Sequence, residues 1–183
     1  MHAIHTLPLR LTADPSRVVV RPFHLGWQAT GAAPSRSRRI VDAVLALDEQ
    51  TVADELALVM RDFEARHWQT QKVFLTRCDE VATMLALDTG PLSTARRQLI
   101  GAYFCHEYSY AAAALMNPSV VPHVDQSGLG KESVRIVLSL RAVGEGHISS
   151  VAFREGLLGP AGTLQLAPQP PFATAADAHS PEE

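Results

Sequence analysis

The densest group of polar side chains in the sequence lies between Arg141 and His147, directly after an apolar run that predicts a strand. The planar fork of an arginine binds vicinal hydroxyls, carboxylates or phosphates with a defined geometry. Glu145 stands between two glycines, which let the backbone approach a ligand closely. Together with Asn117 and His123, these residues form either a polar ligand cleft or a structural Arg–Glu pair across a turn. The spacing alone favours neither interpretation.

Two short pairs could also bind a metal. His123 with Asp125, and Glu145 with His147, each place an imidazole and a carboxylate on the same side of an extended strand. Such groups suit zinc, iron or manganese. Hydrogen-bonded loop residues explain each pair more simply, so we predict no metal and no cofactor.

The segment from His106 to Tyr110 begins like the zinc-binding pattern H-E-x-x-H. The second histidine is replaced by Tyr110, so the second zinc ligand is missing. We therefore expect an amphipathic helix here, with Tyr103, His106 and Tyr110 on its packed or cleft-facing side. The sequence also contains no phosphate-binding glycine loop, dinucleotide fingerprint or nucleophile elbow.

The hydrophobic spacing that must position these residues changes twice along the chain. Alternation at Leu7, Leu9 and Leu11, and the run Val18–Val20, predict two early strands. Helical spacing then predicts about four helices. The third is stopped by Gly90-Pro91, and the last starts at a Ser93 cap and ends at Met116, before Asn117-Pro118. After that point the period is two again, which predicts an antiparallel meander whose edges need protection. The fold class is α+β, divided into a strand-containing arm (1–33), a helical domain (34–116), a β-meander (117–166) and a disordered tail (167–183).

Composition limits the classes of function. The 183 residues are 46% hydrophobic and carry a net charge of −3, which is typical of a globular protein and argues against a nucleic-acid partner. The first 39 residues are locally basic, which we interpret as a solvated surface. No apolar run is long enough to span a membrane, and the N-terminus has no signal-peptide pattern. We expect a cytoplasmic protein. The sequence does not indicate its oligomeric state.

Several longer runs resemble one enzyme family. Residues 117–123 (NPSVVPH), 125–128 (DQSG) and 138–150 (LSLRAVGEGHISS) are similar to a branch of glycoside hydrolase family 130, which contains β-mannoside phosphorylases and β-1,2-mannosidases. Residues 99–109 (LIGAYFCHEYS) resemble the helical segment that precedes the catalytic domain in that branch. The resemblance covers most of the chain and is sharpest from Leu99 to Phe153.

The resemblance implies a five-bladed β-propeller, of which residues 117–166 correspond to the first blade. It implies that Asn117 and Arg141 bind hydroxyls of a terminal β-mannoside, and more loosely that Glu145 and His147 contribute to binding. The oligosaccharide would be cleaved with inversion, by water or by inorganic phosphate. The general acid and the phosphate-binding residues of the family are expected in later blades, so we assign no catalytic residue here.

Two functions therefore follow from the sequence, ahead of a distant third, a metal-dependent enzyme that uses His123, Asp125, Glu145 and His147. The first is the N-terminal fragment of a glycosidase or glycoside phosphorylase, inactive by itself. The second is a non-catalytic helical interaction module that keeps a vestigial sugar pocket, with the four helices and the basic arm as its working surface.

Overall fold

The computed structural model describes residues 6–25 and 34–174 and contains two compact units. One unit is Val18–Tyr108 together with the segment from Phe172, and we call it the helical unit. The other is the chain up to Arg17 together with Ser109–Pro171, and we call it the sheet unit. The α+β class predicted from the sequence is confirmed, and no helix among the described residues is long and apolar enough to cross a membrane.

The helical unit contains four helices and a small sheet. Side chains of Ser35, Asp48 and Ser93 accept hydrogen bonds from the backbone amide three residues later, and so cap three of the helices at their N-termini. The elements are β1 (Val18–Pro22), α1 (Arg36–Leu45), α2 (Glu49–Phe63), α3 (Thr70–Leu85), α4 (Thr94–Tyr103) and β2 (Cys105–Ser109).

The core of the helical unit is closed and apolar. Its fully buried cluster draws on all four helices and on the residue that follows α4. Gly101 of α4 packs so closely on α3 that a Cβ at this position would lie 1.8 Å from the carbonyl oxygen of Phe74. The buried cluster comprises Val41, Val44, Val52, Cys78, Val81, Leu99, Ile100 and Phe104.

Two buried arginines complete this core. Arg77 donates to the carbonyl oxygens of Phe104 (2.9 Å) and Phe23 (3.1 Å). Arg96 donates to the carbonyls of Val44 and Leu45 at the end of α1, to that of Leu47 just beyond it at 2.8 Å, and to the carboxylate of Glu49 at 2.6 Å. Since the last carbonyls of a helix have no partner within the helix, Arg96 supplies their missing donors.

The sheet unit is a four-stranded antiparallel meander. Its strands are β3 (Ala114–Pro122), β4 (Val134–Val143), β5 (Ser149–Leu158) and β6 (Leu164–Leu166), and they pair in chain order. Ile136, Leu138 and Leu140 of β4 alternate with more exposed residues, so one face of the sheet is buried. The predicted antiparallel meander is confirmed, and its fourth strand is short.

Three predictions of local structure are wrong. Residues 7–11 are not a strand, because Pro8 lacks the amide donor that a strand ladder needs. The third helix ends at Leu85, with Ala86 in the left-handed region, and so stops before Gly90-Pro91. The last helix ends at Tyr103 instead of continuing to Met116, since aromatic residues after it pair with the valine-rich β1 as a strand.

Other predictions fall partly or wholly beyond the described residues. Residues 1–5 and 26–33 of the predicted arm and residues 175–183 of the predicted tail lie outside the described residues. Residues 167–174 of the predicted tail contain no helix or strand.

Candidate functional site

The hairpin between β4 and β5 carries three of the four predicted site residues. Arg141 pairs with Val151, and the strands separate after the pair Val143–Ser149. A 3₁₀ turn, Glu145–His147, joins them, and the amide of Gly144 donates to the carbonyl of Ile148 at 2.9 Å. Gly146 has φ +62°, a conformation that favours glycine. Glu145 and His147 are both exposed at this end of the sheet.

The guanidinium of Arg141 is held at one atom and open at two. Its Nε donates to the hydroxyl oxygen of Ser149 at 3.0 Å, and Arg141 makes no other hydrogen bond or ion pair with the residues described. The side chain is exposed. Because Ser149 fixes the orientation of the plane, the two terminal nitrogens remain free to bind two oxygens of a ligand. The alternative interpretation was an ion pair between Arg141 and Glu145 across the turn. This pair is not formed, since the guanidinium of Arg141 donates to Ser149 instead.

Asn117 lies in a β-bulge beside Arg141. Met116 pairs with Arg141 and Ser119 with Ser139, so Asn117 and Pro118 together face a single residue of β4. Asn117 has φ +52°, and asparagine tolerates this left-handed conformation better than most residues. Bulges occur where a strand re-aims a side chain, and a proline is tolerated in them. The structure thus brings Asn117 and Arg141 to neighbouring positions of one strand pair.

His123 and Asp125 belong to a different region of the sheet unit. The amide of Asp125 donates to Nδ1 of His123 at 2.9 Å, and Asp125 forms a 2.9 Å ion pair with Arg135. Hydrogen bonds from Ser127, with a further contribution from Arg135, lower the pKa of Asp125 to about 2. These side chains therefore organise a turn. Among residues 6–25 and 34–174, no three histidine, cysteine, aspartate or glutamate side chains are grouped so as to hold a metal ion.

His106 and Glu107 lie on β2, so the predicted amphipathic helix with Tyr103, His106 and Tyr110 on one side is wrong. Glu107 accepts hydrogen bonds from the buried His67 (Nε2 to Oε1, 2.6 Å) and from Arg66 (Nε to Oε1, 2.8 Å). Burial acts to raise the pKa of Glu107, but these two bonds outweigh it and the pKa lies below its usual value. The cluster joins residues 40 positions apart, and no local pattern in the sequence indicates it.

Ser149 is the residue of the site that sequence reasoning missed. The hairpin register would have indicated it. Arg141 pairs with Val151, and Ser149, two residues before Val151 on the same face, lies diagonally across from Arg141.

A shallow hollow of about 250 Å³ lies at the opposite end of the sheet and does not include Arg141. It is lined by residues such as Arg135, Glu155, Leu157 and Gln165. Its one arginine already binds Asp125.

Comparison of the chain with protein-family models, with curated proteins and with solved structures finds no match.

Proposed function

We propose that the chain is the saccharide-binding N-terminal part of a glycosidase or glycoside phosphorylase that acts on β-mannosides in the cytoplasm. The observation that carries the proposal is the open guanidinium of Arg141, oriented by Ser149 and placed one residue pair from the Asn117 bulge. Vicinal hydroxyls of a sugar ring match the spacing of the two terminal nitrogens of such a fork.

The sheet also supports this proposal. A propeller blade is a four-stranded antiparallel sheet, and β3 to β6 have that connectivity. In the proposal these strands are the first blade of a five-bladed propeller, and the Arg141 end of the sheet faces the sugar site.

The proposed mechanism divides the work between this chain and the remainder of the enzyme. Arg141 and Asn117 hold hydroxyls of the terminal mannoside, with Glu145 and His147 as further binding groups, and so fix the position of the anomeric carbon. A carboxylic acid protonates the glycosidic oxygen, while water or phosphate attacks from the opposite face and inverts the configuration. The proposal gives the residues described here a binding role, so the chain alone should bind saccharide without cleaving it.

A titration of the purified chain with β-1,2-mannobiose, followed by saturation-transfer NMR, tests the proposal. A few hydrogen bonds on an open surface should give a dissociation constant on the order of 1 mM. Arg141→Ala and Arg141→Lys should both abolish the signal, because lysine keeps the charge but loses the fork. Arg61→Ala, which removes an exposed arginine of α2, should leave the titration unchanged. An unchanged titration in Arg141→Ala would remove the site assignment.

One observation favours the alternative, a non-catalytic helical interaction module. Trp68, between α2 and α3, is 61% exposed, and tryptophan is enriched at the centres of protein interfaces. A folded chain that binds no mannobiose at millimolar concentration would favour this second function.

A further inference from the structure

The second face of the four-stranded sheet carries several exposed apolar side chains. Direct strand partners share a face, and three adjacent rows in the middle of this face cross β3, β4 and β5, between the row of Val143 and the row of Arg135. Exposed fractions are 66% for Phe153, 64% for Val151 and 55% for Val121. The rows are Met116–Arg141–Val151, Ser119–Ser139–Phe153 and Val121–Val137–Glu155. An apolar patch of this kind marks an interaction surface.

The two charged residues of these three rows, Arg141 and Glu155, have opposite charges, and neither forms an ion pair within the described part of the chain. Glu155 makes no ion pair or side-chain hydrogen bond with any residue in the described ranges, and the terminal nitrogens of Arg141 are open. The two residues lie on opposite sides of the row that contains Phe153. A partner that presents the same face reversed would therefore meet each charge with its opposite.

We propose that this face binds a second copy of the chain, as a two-fold symmetric dimer of sheets. Consider a two-fold axis that lies between the sheets, perpendicular to the strands and level with Phe153. With this axis, the row Met116–Arg141–Val151 of each copy lies over the row Val121–Val137–Glu155 of the other copy. Packed sheets are about 10 Å apart and neighbouring strands about 4.8 Å apart, so Arg141 can reach Glu155 of the partner copy, twice per dimer.

The size of the face sets the expected strength. Three strands about 30 Å long at this spacing cover about 450 Å² per copy, which is less than the roughly 800 Å² per partner of a standard interface. The dimer should therefore be weak, with a dissociation constant on the order of tens of micromolar at low salt, and higher salt should weaken it further. In the dimer Arg141 is not open to a saccharide, so this proposal and the proposed function describe two states of one surface.

Sedimentation equilibrium of the purified chain, at concentrations that bracket this value, tests the proposal. Phe153→Glu places an unpaired carboxylate at the centre of the interface and should weaken association by roughly tenfold or more. Val124→Glu is the matched control, since Val124 is 99% exposed and lies outside the three rows. Circular dichroism verifies that each variant keeps the fold.

Reversal of the two charges distinguishes this specific dimer from nonspecific hydrophobic association. Arg141→Glu and Glu155→Arg should each weaken the dimer, and the double variant should restore it, because the opposite pairs are formed again. A monomer at every concentration, association that continues beyond a dimer, a dimer insensitive to Phe153→Glu, or a double variant no better than the single ones would each overturn the proposal.

Discussion

The helical unit and the sheet unit bury their apolar residues in different ways. In the helical unit, four helices enclose one apolar cluster, and Arg77 and Arg96 satisfy carbonyls at its margin. In the sheet unit, Ile136, Leu138 and Leu140 are buried, whereas Phe153 on the other face is mostly exposed. A closed core therefore leaves few groups available for binding, whereas a half-covered sheet keeps both apolar and charged groups for a ligand or partner.

The edges of the sheet are protected even though its second face is not. The outer strand β3 contains a bulge and two prolines, Pro118 and Pro122, which cannot donate to an added strand. The other outer strand, β6, has three residues and is soon followed by prolines. These are the devices by which natural sheets prevent edge-to-edge association. Association of the sheet unit should therefore occur through its face.

Overpacking the closed core should have the largest effect. In Gly101→Ala the new methyl group meets the carbonyl of Phe74, and α3 and α4 must separate. We expect a loss of about 3 kcal/mol or more in the free energy of unfolding, measured by urea denaturation. Gly130→Ala in the sheet unit is the control, because nothing lies within 4 Å of a Cβ there. Equal stability of the two variants would contradict the tight packing of these helices.

The two faces of the sheet should respond differently to truncation. Leu138→Ala on the buried face should cost about 2–4 kcal/mol, since it leaves a cavity. Phe153→Ala on the exposed face should change the free energy of unfolding by no more than about 0.5 kcal/mol, provided that the chain is kept dilute enough to be monomeric. Chemical denaturation of both variants at the same low concentration gives the comparison. A loss for Phe153→Ala as large as that for Leu138→Ala would mean that this face is covered within the chain.

Local patterns in the sequence predicted the elements that depend on local physics. Helical spacing located the helices, and Ser93 was recognised as a cap because a cap needs only its own next turn. Strand β2 was missed, since residues 105–109 become a strand only by pairing with the distant β1. Asn117-Pro118 was interpreted as a helix end, whereas the same left-handed asparagine and proline form a bulge in β3. At the site, Arg141 was predicted from its type, but its anchor Ser149 required the strand register.

Acid should affect the two units through different carboxylates, and this is the smallest of the expected effects. Glu107 in the helical unit has a pKa below its usual 4.5, so its bonds to Arg66 and His67 contribute stability above that pH and lose it as the pH falls through the folded-state value. We expect Glu107→Gln to lower the free energy of unfolding at pH 6 by about 1–2 kcal/mol and to flatten its fall between pH 6 and pH 3.

Asp125 in the sheet unit provides the contrast. Its pKa of about 2, against an ordinary 3.8, places the loss of its contribution between these two values. Asp125→Asn should therefore leave the slope of stability between pH 6 and pH 4.5 unchanged. Urea denaturation of the two variants and the parent chain from pH 6 to pH 3 gives the test, because the contribution of Glu107 is lost below its usual pKa of 4.5. A slope altered by Asp125→Asn but not by Glu107→Gln would reverse the assignment, and would mean that the exposed turn, and not the partly buried cluster, controls acid stability.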